Sequence, residues 1–330
     1  MSARPESVRE KVQPLVALAA AGAIAAGAGA AGCGGAPRRG GGETAASPAP
    51  VEPADRILAV LPQGAQLVVE LDLARLRANP VIGELVTRAL AAGAPLPAAA
   101  AGLDAAGAPL AAADVVVLAA YGVGTASAAT VTLLAAKQAI PGAARVADGI
   151  YAVGPEAWTA QIAQRGALLD GSGLVRAQPE LLALRDRAMP PKAPGASLRV
   201  TARLSFDARV ALARQTGLEA APAQLSIWGD VVDDAAIIVE ADAADPGDRR
   251  GRQAVARLEA AVRAALALLA DEPIAQALGL SRSLGGAKLT IRGTWVRAIV
   301  AIGPEYLKRV AARASALLPV TEGNPPGKGP

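Results

Sequence analysis

The sequence predicts an α+β protein: mixed or antiparallel sheets with packed helices, arranged as two related β-α-β-β halves. Three observations carry the prediction. Short runs rich in β-branched and aliphatic residues recur in neighbouring pairs divided by turn residues, the pattern of hairpins. Longer segments with apolar residues at helical spacing alternate with those pairs. Finally, 52% hydrophobic against 19% charged side chains over 330 residues is enough to bury one large core or two ordinary ones.

The first half, residues 55–194, opens with a strand at "AQLVVELDL" (65–73). Leu76, Ile82, Leu85, Val86 and Leu90 then follow at helical spacing, with a break at Pro80. "DVVVLAAYG" (114–122) and "AATVTLLAAK" (128–137), joined by "VGTAS", read as a hairpin. "IYAVG" (150–154) is a strand that meets a helix at Pro155, and "DGSG" (170–173) reads as a turn between short strands "ALL" and "LVR". The proline-rich "MPPKAPGA" (189–196) forbids regular structure and marks the boundary between the halves.

The second half, residues 195–320, begins with the strand "SLRVTARL" (197–204) and a helix from Phe206 to Gln215. "LSIWGDV" and "AAIIVEAD" flank Asp233-Asp234 as a second hairpin. A long amphipathic helix follows, with Asp245 as its N-cap, Pro246 in the first turn and Asp248 as a capping acid. The hairpin "KLTIRGTWVRAIVAIG" and a helix from Pro304 to about Leu318 close it, leaving 321–330 as a disordered tail. "IYAVGPEAW" (150–158) echoes "IVAIGPEYL" (299–307): a strand ends at Gly, Pro takes the first helical turn, and Glu complements the positive helix end. Duplication of one unit accounts for the echo; so does convergence of two strand-to-helix joints on the same residues.

The first fifty residues differ from the rest. Arg4, Arg9 and Lys11 against Glu6 and Glu10, then an uncharged run from Pro14 to Gly32, then small residues before a fixed point, are the three parts of a secretory signal. With Ala30, Ala31, Gly32 and Cys33 the chain resembles a bacterial lipoprotein precursor, although Ala30 stands where that family prefers leucine. The resemblance implies that residues 1–32 are a signal peptide removed just before Cys33, whose thiol is the lipidation site. It also implies a lipid-anchored protein of the cell envelope, and with Gly34 rather than aspartate after the cysteine, an outer-membrane location facing the periplasm. An uncleaved single-pass anchor and an ordinary cleaved signal remain open. Residues 33–54, rich in Gly, Pro, Ser and Thr, read as a flexible linker with an average span of about 25 Å.

Composition narrows the chemistry. The chain has no histidine, so the usual general base, metal ligand and pH switch are missing together. One cysteine leaves no disulfide within the chain and no thiolate metal cluster. Aromatics at 2%, and 33 Lys and Arg spread among 29 Asp and Glu, argue against nucleic acid as a partner.

The local motifs point the same way. "YGVGTAS" (121–127) reads as a hairpin loop rather than a dinucleotide turn, because Ser127 stands at the third glycine position and a strand follows. The acids Asp230, Asp233, Asp234, Glu240, Asp242, Asp245 and Asp248 lack calcium-loop spacing. Trp158, Trp228 and Trp295 read as packing residues. No catalytic, cofactor or metal residues are assigned. The expectation is a non-catalytic binding or scaffolding lipoprotein whose partners are the membrane, through its anchor, and another envelope protein or ligand; the alternative is an envelope hydrolase using paired carboxylates.

Overall fold

A computed structural model describes residues 52–91, 109–172, 178–191, 193, 195–243 and 249–318. Cys33 and the segments 1–32 and 321–330 lie outside the described residues, as do Asp245, Pro246 and Asp248. Helix α1 (Pro53–Val60), which no periodicity had suggested, starts with Pro where a missing N–H costs nothing, and it buries Ile57, Leu58 and Val60 completely. Strand β1 (Leu67–Asp72) ends in Asp72, whose carboxylate accepts from the Arg75 N–H at 2.7 Å and so caps α2 (Leu73–Ala78). The expected break at Pro80 separates α2 from α3 (Gly83–Ala91).

The first half continues through α4 (Pro109–Ala112), β2 (Val115–Tyr121), β3 (Ala129–Ala135), β4 (Ala144–Ala147), β5 (Ile150–Val153), α5 (Glu156–Ser172) and α6 (Pro179–Arg185). "ALL" is not a strand and the start of "DGSG" is not a turn, because α5 runs on to Ser172. Extending a formed helix adds one hydrogen bond per residue fixed, which outweighs the roughly 1 kcal/mol cost of Gly166. Gly166 is there for contact: a Cβ on it would lie 1.8 Å from the Val146 carbonyl oxygen, so only glycine lets α5 approach β4 this closely.

The second half comprises β6 (Leu198–Arg203), α7 (Phe206–Thr216), β7 (Gln224–Val231), β8 (Ala235–Asp242), α8 (Arg249–Asp271), α9 (Pro273–Leu278), α10 (Ser281–Gly285), β9 (Lys288–Arg292), β10 (Trp295–Ile302) and α11 (Pro304–Leu317). Ser205 caps α7 by accepting from the Ala208 N–H, and Gly217 ends it at φ 70°.

The ten strands of the described residues form one sheet in the order β4-β5-β3-β2-β1-β6-β7-β8-β10-β9, every neighbouring pair antiparallel. The two halves therefore join edge to edge at β1 and β6, with Val69 opposite Val200. Outward from that seam, β1-β2-β3-β5-β4 on one side matches β6-β7-β8-β10-β9 on the other. Both Gly-Pro-Glu joints follow equivalent strands, β5 and β10, but the helices after them leave to opposite faces. Ile162 of α5 packs with Val131 and Leu133 on one face, whereas Leu307 and Val310 of α11 pack with Val300 and Ile302 on the other. On the first face, α1, α5 and α6 cover the first half. On the second, α2 to α4 and α9 to α11 share one core that runs across the seam, and α8 packs on Ala241 and Val296.

Asn79 ties the halves together: its side-chain oxygen accepts from the N–H groups of Val81 and Ile82, and its amide donates to the carbonyls of Val231 and Val232 in the β7–β8 hairpin.

Candidate functional site

Between the second half of the sheet and helices α7 and α8 lies a cavity of about 270 Å³. Val200 and Ile227 belong to its floor, Ala211 and Leu212 to the α7 wall, and Val262 and Ala265 to the α8 wall. The floor residues are buried and the wall residues half-buried, so the space opens outward between the helices. It exists because both helices turn short side chains inward. Ala208 and Ala211 on α7, Ala261 and Ala265 on α8, and Ala202, Ala241 and Ala298 on the strands do not reach across the gap. Closed and empty, an apolar void of this size would cost about 6 kcal/mol, comparable to the whole stability of an ordinary domain.

Among the described residues the lining contains no charged side chain. Its polar members are Gln215 and Thr216. The Thr216 hydroxyl is tied to the Leu212 and Ala213 carbonyls, but the Gln215 side-chain oxygen is buried without a hydrogen-bond partner. A buried amide oxygen left so costs on the order of 1–3 kcal/mol. The rim is completed by Val123 and Gly124 from the β2–β3 loop, the "YGVGTAS" stretch, which is a hairpin loop as expected. Gly124 has φ 82° and a Cβ there would sit 3.3 Å from the Ala208 Cα, so glycine lets the first half reach the α7 wall.

Three buried carboxylates, Asp230, Glu240 and Glu70, lie elsewhere and are engaged. Asp230, of the acidic run, receives Nε and Nη2 of Arg75 at 2.7 and 2.6 Å and the Ser197 hydroxyl at 2.8 Å. Glu240 meets Arg297 at 3.0 Å and Arg187 at 3.8 Å. Glu70, on the opposite face from the cavity, pairs with Arg185 at 2.8 Å, and Arg185 also reaches Asp55 at 2.9 Å. Burial pushes the Glu70 carboxyl above its ordinary value by more than the Arg185 charge and hydrogen bonds pull it down. Burial likewise raises Asp72 and Asp234, against the Arg75 N–H in the first case and a backbone hydrogen bond in the second. Hydrogen bonding to Asp230 raises Arg75. Among the described residues no three acidic side chains converge as a metal ion would require.

No protein-family model matches the chain, and no curated protein matches its sequence. Among solved structures, TP0453 in crystal form I aligns with 80% of this chain and 98% of its own, at a TM-score of 0.38 and 10% identity. This is a distant likeness of shape.

The three tryptophans pack as expected. Trp158 stacks on Tyr121 with ring centroids 4.0 Å apart, Trp228 donates to the Gly195 carbonyl, and Arg187 lies over Trp295 at 3.5 Å. What the sequence reading missed is the cavity and Gln215 within it. The available signal was the alanine content of the two helices α7 and α8, which looks the same whether a helix lies close to a sheet or stands off from it.

Proposed function

We propose that this chain is a lipid-anchored protein of the cell envelope, outer-membrane and periplasm-facing, whose folded body is a non-catalytic binding body for an apolar guest. The observation that carries the binding half is the uncharged cavity between α7, α8 and the sheet. The buried carboxylates of Glu70, Asp230 and Glu240 are each matched with an arginine and are not among the cavity's lining residues.

The anchoring half rests on Cys33, placed between an export-type segment and a linker that would hold the body about 25 Å from a membrane. None of the described helices is long and apolar enough to cross a membrane. On the lipid-anchor reading, two or more acyl chains suffice for stable anchoring where one does not. Expressed in a Gram-negative host, the wild type is expected in the membrane fraction with an acylated Cys33 as its first residue, and Cys33→Ala as an unprocessed or released form. Intact mass spectrometry showing an unmodified Cys33, or a mature terminus elsewhere, refutes the anchor.

A further inference from the structure

We infer that the cavity receives a single flexible acyl chain with an uncharged polar end, and that Gln215 positions that end. The inference rests on reading the body as a binding body and names its ligand class. Volume sets the length: at roughly 30 Å³ per water-sized group, the space of about 270 Å³ accommodates a chain of about nine non-hydrogen atoms. The walls set the shape. They are aliphatic, with Leu, Val, Ile and Ala facing inward and no aromatic ring to stack a planar ligand.

Charge sets the end group. A carboxylate or phosphate inside would be buried with no cation among the described lining residues, which is strongly unfavourable. Gln215 lines the cavity, and its side-chain oxygen, without a partner and turned away from the open space, would gain a hydrogen bond from a ligand hydroxyl or amide N–H once the side chain turns toward it. Ala211 and Ala265, half-buried on facing walls, leave the way in between the helices.

The test uses the full chain carrying Cys33→Ser, so that its own lipid cannot compete, with octanol, butanol, octanoate in its ionised form and octyl methyl ether as probes in calorimetric titration. Octanol is expected to bind one to one, about tenfold or more tighter than butanol because of its additional methylenes. Octanoate is expected to bind more weakly than octanol, and the ether, which cannot donate to Gln215, more weakly also. Gln215→Met should remove the advantage of octanol over the ether while leaving the ether's affinity unchanged. Ala265→Phe, which fills the space but keeps the apolar N-terminal run, should abolish octanol binding. Equal binding of octanol and octanoate, or octanol binding that survives Ala265→Phe in a folded protein, overturns the inference. If Ala265→Phe does not fold, the ether comparison with Gln215→Met decides alone. A chain acylated at Cys33 that ignores octanol refutes this inference and leaves the anchor standing; octanol binding by a chain never acylated does the reverse.

Discussion

Replacing Ala265 by leucine should stabilise the protein, the opposite of what enlarging a side chain in a filled core does. Ala265 lies on α8, half-buried, facing the cavity. Leucine adds three carbons, worth about 0.8 kcal/mol each if fully buried, so the ceiling is about 2.4 kcal/mol. The outward opening leaves part of the new side chain exposed, which brings the expected gain to about 1–2 kcal/mol. Helix propensity contributes little, since alanine and leucine are both strong helix formers. For a body of this size the gain corresponds to a rise in Tm of roughly 2–8 °C. Ala211→Leu on the facing wall should act in the same direction, and the double variant should fall short of the sum because both side chains fill one void. Thermal unfolding of ligand-free protein, followed by circular dichroism, measures this. A fall of about 1–3 kcal/mol, the usual penalty of overpacking, would mean that the space is closed in solution and would refute the argument from the cavity.

Three further outcomes follow from other parts of the molecule. Asp230→Ala removes the acceptor of two Arg75 hydrogen bonds and of the Ser197 hydroxyl; a loss of about 2–3 kcal/mol in urea unfolding is expected, with Asp230→Asn milder. Gly166→Ala should destabilise by about 1–3 kcal/mol although alanine is the better helix former, because its Cβ would meet the Val146 carbonyl; an unchanged Tm would show that α5 can shift off β4 freely.

The third concerns pH. Glu70 and Asp72 have folded-state values raised by burial above their ordinary 4.5 and 3.8. The folded state therefore holds these protons more tightly, so their contribution is full below those ordinary values and is lost as pH rises through the raised ones. On this account, lowering the pH through the raised Glu70 value toward its ordinary 4.5 adds stability, and Glu70→Gln flattens that part of the Tm profile. A steeper acid loss in the wild type than in the variant would contradict it.

The sequence by itself determined the features that local chemistry controls. β-branched and aliphatic runs made β2, β3, β7 and β8, and the turn residues between them made the hairpins, because each hairpin needs only a short loop to close. The break at Pro80 and the joints at Gly154-Pro155 and Gly303-Pro304 followed from the fixed φ of proline and its missing N–H. Tertiary structure alone decided how these pieces combine. Nothing in residues 189–196 indicates that β1 and β6 pair directly across the supposed boundary and make one sheet of the two halves. The partners of Arg75 and Arg185 lie 155 and 115 residues away, and an acid in a strand carries no mark of which arginine will reach it. The same holds for the departure of α5 and α11 to opposite faces and for the gap beneath α7 and α8. Helical periodicity fixes which side of a helix is apolar, whereas the distance at which it rests depends on how its side chains meet those of a distant strand.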